Sequence, residues 1–420
     1  MDKNVVGQRK LRQELNSIHF LGLKGIKVGD ALAMELVHFA EWTKEDISNM
    51  EFLEIREYSY EQTCKNPETA FYFAYTHIKR PDMREKFHAV ERLVDNRLAI
   101  EAQMGKIEKN PYVGLIPLWY AQLCKLKYSH VIKFGICYQL CKAAGHAWKA
   151  FLKIKEVKTI KKVVLFHDVS GMDNILTQRC NLSGYKTFTL QHGIVNGSFD
   201  YNEYKCSHAQ HMLLWGAYSK KMAIKCGKPA DSIHVVGNIN TLLNEPVNPD
   251  YKEKQKYFLV CTNGVVCKQN WLRNQELIRM ANAIAKKYDL QYFLKVHPYD
   301  RKNRYNEVVD KEYCEQIYDK KTGIEELLGK VRFTICGNST TFCDSIYQNV
   351  PVFRYITESE KSIDVCKGIA FGRVEDYEAL CEALESLGKD QTVYMKQLTR
   401  VKDVLFEPGD VAEKYIQSLS

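Results

Sequence analysis

Short apolar runs alternate with longer amphipathic segments in two stretches of this chain, and no other feature limits its fold as much. In residues 161–245 the runs VVLFH, YKTFTLQHG, HMLLWG and IHVVGN predict strands, and MDNILTQRCNLSG and SKKMAIKCG predict helices between them. Parallel strands need a crossover of about a dozen residues, which a helix usually supplies. The alternation therefore predicts a parallel α/β sheet.

The same alternation begins again after residue 256. YFLVCT, QYFLKVHP, VRFTICG and PVFRY predict strands, and WLRNQELIRMANAIAKKY, GIEELLGK and NSTTFCDSIYQN predict the helices between them. The charged segment PVNPDYKEKQK, residues 246–256, holds two prolines and predicts a linker. We therefore predict two Rossmann-like α/β domains that face each other across a cleft. The first is residues 1–245, helical over 1–160 and α/β over 161–245, and the second is residues 257–420, ending in helices.

Composition narrows the class of protein. The 420 residues are 45% hydrophobic and 26% charged, as in a soluble globular protein. The 14 cysteines never form C-x-x-C, and the polar start MDKNVVGQRKLRQELN is unlike a signal peptide. We expect reduced thiols in a cytoplasmic protein, with no disulfide scaffold and no metal site, because pairs such as Cys137 and Cys141 fall short of the roughly four ligands of structural zinc.

Positive charge is concentrated between Lys125 and Lys162. This stretch holds ten lysines and one acidic residue, Glu156, together with several aromatic side chains. A basic amphipathic helix with aromatic residues can lie on an anionic membrane surface, at the inner face of the plasma membrane for a cytoplasmic protein. The alternative is a helix whose lysines only face solvent. The sequence leaves both open, and no apolar run is long enough to predict a transmembrane helix.

The predicted strands of the second domain end on small polar residues or histidine. Ligands of open parallel sheets bind beyond the carboxyl ends of the strands, so these residues are candidates for a nucleotide site. The candidates are Thr262, Asn263, Lys295, His297, Asn338, Ser339, Thr340 and Thr341.

The segment GNSTT, residues 337–341, is the most informative of these strand ends. Asn338 or Ser339 is a good N-cap, and hydroxyl groups at the start of a helix can bind a phosphate. The alternative is a capped helix with nothing bound. The patterns GxGxxG and GxxxxGK[ST] are both absent, which argues against a dinucleotide oxidoreductase and a P-loop enzyme.

Two residues of the first domain are candidates for a general base. His192 follows a predicted strand and precedes Gly193, beside which a ligand can approach the backbone closely. Asp168 follows the neighbouring strand. Either side chain could take the proton of a hydroxyl nucleophile, and the sequence does not choose between them.

Five segments, LQHG, LLWGAYSKKMAIKCG, IHVVGN, LKVHP and CGNSTTFCDSIYQNVPVFRY, occur in this order within residues 163–355. The order resembles the GT-B-fold transferases of bacterial surface polysaccharides. It is most similar to the capsule and teichoic-acid types, namely CDP-glycerol glycerophosphotransferases, bacterial polysialyltransferases and capsule Kdo transferases. The resemblance implies that His297 and Ser339 to Thr341 hold the nucleotide phosphates and that Asp168 or His192 is the base.

The function that the resemblance implies is the transfer of a sugar from a nucleotide-sugar donor to a growing surface polysaccharide or its lipid-linked primer. The activated donor is the substrate, and no cofactor or metal is expected. Transfer of a polyol phosphate from a CDP-alditol is the first alternative. A UDP-sugar 2-epimerase shares the fold and a His-Pro segment, but typically has a Gly-Gly-containing helix start, which GNSTT lacks. A non-enzymatic binding protein is the third.

Overall fold

The computed structural model describes most of the chain. The described residues are 3–33, 36, 57–62, 70–75, 81–103, 110–127, 130–166, 168–169, 171–194, 203–243, 256–265, 268–298, 300–361 and 364–420. The predicted linker, 246–256, lies outside these ranges except for Lys256.

The strands fall into two groups separated by that linker. The first group is β1 Glu57–Gln62, β2 Ala70–Tyr75, β3 Arg97–Gln103, β4 Ile160–Leu165, β5 Lys186–Leu190, β6 His211–Leu214 and β7 Ile233–Val235. The second is β8 Tyr257–Cys261, β9 Gln291–Lys295, β10 Cys314–Tyr318, β11 Thr334–Cys336, β12 Val352–Tyr355 and β13 Arg373–Val374.

Helices connect and cover these strands. Those of the first half are α1 Lys3–Ser17, α2 Val28–Ala31, α3 Pro81–Glu91, α4 Ile116–Leu123, α5 His130–Glu156, α6 Gly171–Leu182, α7 Glu203–Cys206 and α8 Ala217–Lys225. Those of the second half are α9 Lys268–Tyr288, α10 Ile324–Leu328, α11 Thr341–Tyr347, α12 Tyr377–Lys389, α13 Gln391–Leu405 and α14 Val411–Leu419. None of the helices within the described ranges combines the length and apolar character that a membrane span requires.

Each group of strands forms one sheet. The first sheet has the order β1-β3-β2-β4-β5-β6-β7, and its pairs are parallel except for the antiparallel pair of β1 and β3. The second has the order β10-β9-β8-β11-β12-β13 and is parallel throughout. The predicted pair of Rossmann-like α/β domains is therefore confirmed.

The prediction of a helical region over residues 1–160 was wrong in part. Strands β1, β2 and β3 belong to the first sheet, and β2 pairs with both β3 and β4. The segment 87–104 has apolar residues at helical spacing, but a turn at residues 92–96 divides it into the end of α3 and β3. The Arg97 guanidinium donates to Glu91 Oε1 at 2.8 Å and to the Val94 carbonyl at 2.7 Å, which closes that turn.

The chain crosses back to the first domain near its end. The backbone nitrogen of Glu407 donates to the carbonyl oxygen of Trp215 at 2.7 Å. A Cβ at Gly216 would lie 2.4 Å from the carbonyl oxygen of Leu405, so the connection after α13 requires a glycine there. The predicted second domain, 257–420, thus includes residues that pack on the first sheet, and one buried cluster joins both sheets to α13 and α14.

Helix α5 carries much of the lysine-rich region, and one of its faces lies in the core of the first domain. Its buried residues include Ile136, Leu140, Ala147 and Ile154. Among the described residues of α5, Leu152 is a large apolar side chain that stays exposed, at 41%, and one such side chain is not the apolar face that a helix lying on a membrane needs. The prediction of a membrane contact through Lys125–Lys162 as one lying helix is therefore not supported by the fold.

Candidate functional site

The turn after β5 places His192 at the carboxyl edge of the first sheet. The side chain of Gln191, 2% exposed, fixes this turn. Its Nε2 donates to the Gly193 carbonyl and to Ser219 Oγ, each at 2.8 Å, and its Oε1 accepts from the Trp215 backbone nitrogen at 2.7 Å. The half-buried ring of His192 packs beside Phe166, with ring centroids 6.4 Å apart. The hydrogen-bonded side chain of Gln191 thus fixes the backbone turn that carries the His192 imidazole.

Gly193 brings the first domain against the second. A Cβ at this position would lie 3.0 Å from Cγ2 of Thr340, which is closer than an ordinary contact. Glycine at 193 therefore lets the His192 turn approach the residues that precede α11. The sequence predicted a close approach at Gly193, but it did not identify Thr340 as the neighbour.

Asp168, the other candidate base, has a different environment. Its carboxylate is buried, and Oδ2 accepts hydrogen bonds from Ser207 Oγ at 2.9 Å and from the backbone nitrogens of His208 at 2.7 Å and Ala209 at 2.8 Å. Asp168 does not line the cleft between the domains. The geometry favours a structural role, in which Asp168 anchors the loop that leads into β6. His167, which precedes it, lies outside the described residues.

In the second domain, β8 and β9 end beside each other and hold His297 in place. Thr262 is buried, and its Oγ1 accepts from the His297 backbone nitrogen at 3.3 Å. The His297 ring lies over Gly264, where a Cβ would come within 2.9 Å of Nδ1. The Asp300 backbone nitrogen donates to the His297 carbonyl at 2.8 Å and closes the turn after Pro298. These contacts leave the half-buried imidazole at the sheet edge.

Lys295 is the last residue of β9 and is tied to the next strand connection. Its Nζ donates to the carbonyl oxygen of Asp319. A hydrogen bond from the Lys321 backbone holds the pKa of Asp319 below its usual range, and the charges of Lys302, Lys321 and Lys295 act in the same direction. The bond to Asp319 therefore holds the Lys295 side chain at the wall of the cleft.

The loop before α11 differs from the predicted capped helix. Thr340 precedes the helix and makes no side-chain capping bond, whereas Asn338 Oδ1 accepts from the Val365 backbone nitrogen at 2.9 Å. The hydroxyls of Ser339 and Thr341 lie 3.0 Å apart, and Ser339 Oγ accepts from the Thr341 nitrogen at 3.3 Å. Asn338 is thus a loop anchor, and the hydroxyl groups form a compact polar cluster.

Asn263 also has a structural role. Its backbone nitrogen and carbonyl oxygen both bond to the side chain of Asn274, at 3.0 and 2.8 Å. Its side chain lies over Gly337, where a Cβ would come within 2.8 Å of Nδ2. Asn263 and Asn338 hold neighbouring strand ends together, but neither lines the cleft.

One cleft of about 300 Å³ brings the remaining candidates together. From the predicted residues it includes His192 of the first domain and Thr262, Lys295, His297, Ser339, Thr340 and Thr341 of the second. This volume lies at the lower end of the range for small-molecule sites. Seven of the ten predicted residues therefore meet in one place, between the carboxyl edges of the two sheets.

Sequence reasoning missed several charged residues of this cleft. Asp344 lies in the first turn of α11, and its Oδ1 accepts from Asn240 Nδ2 of the first domain at 3.2 Å. Lys86 projects from α3, and Lys320 and Glu325 come from the segment after β10. Asp344, five positions after Ser339, could have been predicted as a cleft residue, because it lies in the first turn of the helix that the sequence predicts there. Lys86 could not, because α3 reaches the cleft only through the pairing of β2 and β3 in the first sheet.

The cysteines near the cleft are inert. Cys261 lies at the base of the cleft, and complete burial raises the pKa of its thiol well above the usual range. Burial likewise raises the pKa of Cys336 to about 12. Neither thiol supplies a thiolate nucleophile at neutral pH.

The histidines and the cysteine of residues 206–211 have separate partners. His208 Nε2 bonds to Asp30 Oδ2 at 2.9 Å, His211 Nδ1 lies 3.1 Å from His234 Nε2, and Arg12 donates to Cys206 Sγ at 3.2 Å. Within the described ranges, no three metal-ligating side chains converge on one point.

No protein-family model matches the chain, and no curated protein matches its sequence. Solved structures share its fold. A UDP-GlcNAc 2-epimerase from Neisseria meningitidis bound to UDP-GlcNAc superposes with a TM-score of 0.53 at 12% identity, covering 84% of this chain and 99% of that one. The S. aureus MnaA–UDP co-structure gives 0.52 at 13% identity, with 84% and 98% covered. A UDP-GlcNAc 2-epimerase from Methanocaldococcus jannaschii in complex with UDP-GlcNAc and UDP gives 0.52 at 15% identity, with 83% and 98% covered. At these identities the likeness shows the fold alone: the chain has the GT-B fold, with its cleft between two Rossmann-like domains.

Proposed function

We propose that the chain is a glycosyltransferase that binds a nucleotide-activated sugar in the cleft and moves the sugar to a hydroxyl group of a bacterial surface polysaccharide. The observation that supports the proposal is that His192 of the first domain lines the same cleft as the hydroxyl, imidazole and lysine side chains of the second. A base on one wall and anion-binding donors on the other are what displacement of a nucleotide by a hydroxyl requires.

The second-domain wall would take the phosphates. The hydroxyls of Ser339, Thr340 and Thr341 and the imidazole of His297 can donate hydrogen bonds to phosphate oxygens, and Lys295 adds a positive charge. Helix α11 has seven residues and carries the negative charge of Asp344 in its first turn, so its dipole adds little to the attraction of a phosphate. The side chains therefore carry the phosphate affinity.

The first-domain wall would take the acceptor. A ring nitrogen of His192 accepts the proton of the acceptor hydroxyl as its oxygen bonds to the anomeric carbon of the sugar. The bond from that carbon to the phosphate oxygen breaks, and the nucleotide leaves with the electron pair. The hydroxyl cluster at 339–341 stabilises the negative charge that develops on the departing phosphate.

A nucleotide-binding measurement tests this site before any acceptor is known. Uridine and cytidine nucleotides are added to the purified chain, and its thermal unfolding is followed. A nucleotide at about 100 times its dissociation constant should add about 2.7 kcal/mol of stability. The double variant Ser339→Ala/Thr341→Ala should lose most of this gain, whereas Thr399→Ala, on the exposed side of α13, should keep it.

Two results of the same assay would contradict the proposal. Stabilisation that survives in the double variant would show that the phosphates bind elsewhere, and an absence of stabilisation by any nucleotide would reject the proposal. Nucleotide release from UDP-sugars, CMP-sialic acid, CMP-Kdo and CDP-glycerol, each with a polysaccharide acceptor, then identifies the donor. Release from CDP-glycerol alone would replace sugar transfer by polyol-phosphate transfer.

The second candidate function is the epimerisation of a UDP-sugar at C2. It is favoured by the structural neighbours, which include the two UDP-GlcNAc 2-epimerases described above, and by the carboxylates of Glu325 and Asp344 in the cleft. Epimerisation breaks the C2–H bond and needs no acceptor. Incubation with UDP-GlcNAc in deuterated water, without acceptor, should therefore leave C2 unlabelled if the chain is a transferase, and should label C2 if it is an epimerase.

A further inference from the structure

Four large apolar side chains lie exposed on the outer side of the first domain. Leu21 is 60% exposed, Leu118 56%, Leu182 62% and Val113 38%. We call these four residues the outer patch. None of them lines the cleft.

The loop 18–27 joins the members of the outer patch. The carbonyl oxygen of Leu21 accepts from Trp119 Nε1, one residue after Leu118, at 3.3 Å. A Cβ at Gly25 would lie 3.0 Å from Cδ1 of Leu182. A Cβ at Gly22 would lie 3.1 Å from the ring of Tyr112, which precedes Val113. The four residues of the patch therefore lie on adjoining segments: this loop, the segment around α4 and the end of α6.

The charged side chains of the three segments that carry the outer patch are all positive. The segments 18–27, 110–127 and 179–185 contain no aspartate or glutamate. They contribute four exposed lysines beside the apolar residues: Lys24, Lys27, Lys125 and Lys127. Exposed apolar groups together with several lysines are the two signals that stable attachment to an anionic lipid surface needs.

We propose that the outer patch docks the protein on an anionic lipid bilayer, with the apolar side chains in the interfacial region and the lysines on the lipid phosphates. A second copy of the chain fits this surface less well. A twofold contact through the patch would set the lysines of one copy against those of the other, and no acidic residue of these segments would offset the repulsion.

Vesicle co-sedimentation of the full chain tests the docking. The wild type should bind vesicles of phosphatidylcholine and phosphatidylglycerol, and should bind pure phosphatidylcholine far less. The partition coefficient should fall by about fivefold for each of the four lysines changed to glutamine. The variant Leu21→Ser/Leu118→Ser/Leu182→Ser should lose at least about tenfold. The matched control Val393→Ser/Val404→Ser/Ile416→Ser changes apolar residues of similar exposure on α13 and α14, and should bind as the wild type does.

The outcomes are separate from those of the transferase assay, because vesicle binding requires no donor. The docking is overturned if the wild type stays in the supernatant, or if the leucine and lysine variants bind as tightly as the control. It is also overturned if the wild type is a dimer that the leucine variant converts to a monomer without any change in vesicle binding. The lysine variant leaves the apolar residues intact, so its vesicle binding tests the docking even if the serine variant unfolds.

Discussion

Asp168 and His192 follow neighbouring parallel strands of the first sheet, yet the structure uses them differently. Asp168 accepts three hydrogen bonds from residues 207–209 and is buried away from the cleft. His192 is held by its neighbour Gln191 and lines the cleft opposite the hydroxyl cluster. The carboxyl edge of a sheet thus supplies both anchors and candidate catalytic groups. What separates them is burial: Asp168 is 2% exposed and lies away from the cleft, whereas the half-buried His192 lines it.

The largest expected effect follows from replacing His192. The variant His192→Asn keeps a polar side chain of similar size but cannot take a proton from the acceptor. Turnover should fall by about 10²–10⁴-fold, the usual contribution of a general base. Nucleotide release in the presence of acceptor measures it. Nucleotide binding should persist, since the proposed phosphate site lies on the second-domain wall.

This prediction has a definite contrary result. If His192→Asn keeps its turnover while Asp168→Asn loses it at unchanged stability, the roles of the two residues are reversed. If both variants turn over normally, the base is one of the cleft carboxylates, Asp344 or Glu325.

Asp168→Ala should act on stability instead. The substitution leaves the Ser207 hydroxyl and two backbone N–H groups without their acceptor, and each buried donor left in this way costs about 1–3 kcal/mol. We expect the free energy of unfolding, measured in urea, to fall by about 3 kcal/mol. Asp168→Asn retains one acceptor oxygen and should recover part of the loss. If the alanine variant were as stable as the wild type, Asp168 would not anchor the loop, and its contrast with His192 would fail.

The difference between the two residues could not be predicted from sequence. The donors to Asp168 lie 39 to 41 residues further along the chain, so no sequence pattern near position 168 predicts them. His192 is positioned mainly by the residue beside it. In the second domain Thr262 and His297 were both predicted because each directly follows a strand, and adjacent parallel strands bring such ends together even though the residues lie 35 apart in the chain.

The same limit explains the errors in the fold. Helices such as α5 and α9 were predictable because their apolar spacing is local. Strands β1 to β3 were not, since the segment of α3 and β3 has apolar residues at spacings that fit a helix. The alternation of Leu98, Ile100 and Ala102 was the signal for a strand there. Pairing with β2, more than twenty residues earlier, decides the outcome.

A smaller effect is expected where the His192 turn meets the second domain. Gly193→Ala adds a methyl group 3.0 Å from Thr340 Cγ2, so one wall of the cleft must shift. We expect kcat/KM to fall by about tenfold, at the low end of the cost of overpacking. Thr340→Ser removes Cγ2 and should restore most of the activity in the double variant. Gly388→Ala, whose Cβ would meet no atom within 4 Å, is the control. A loss that Thr340→Ser fails to rescue would show that the two residues do not act through this contact.

The smallest expected effect concerns the electrostatic support of the Asp168 anchor. His208, whose backbone donates to Asp168, also bonds through its ring to Asp30. Burial raises the pKa of Asp30, but the hydrogen bonds from His208 and Asn16 and the charges of His208 and Arg12 outweigh it, and the pKa lies below its usual range. A depressed carboxyl pKa contributes stability that is complete above the unfolded value of about 4 and is lost as the pH falls through the folded value.

The free energy of unfolding, measured in urea between about pH 6 and about pH 3, should therefore fall more steeply in the wild type than in Asp30→Asn. The difference between the two proteins isolates Asp30, because every other carboxyl group titrates in both. His192 lies on a different loop, so turnover per folded molecule at neutral pH should be the same in both proteins. Equal slopes would mean that Asp30 contributes nothing to the pH dependence of the anchor. A change in turnover at neutral pH would mean that the anchor and the cleft are coupled through the first sheet, and the separation between Asp168 and His192 would then fail.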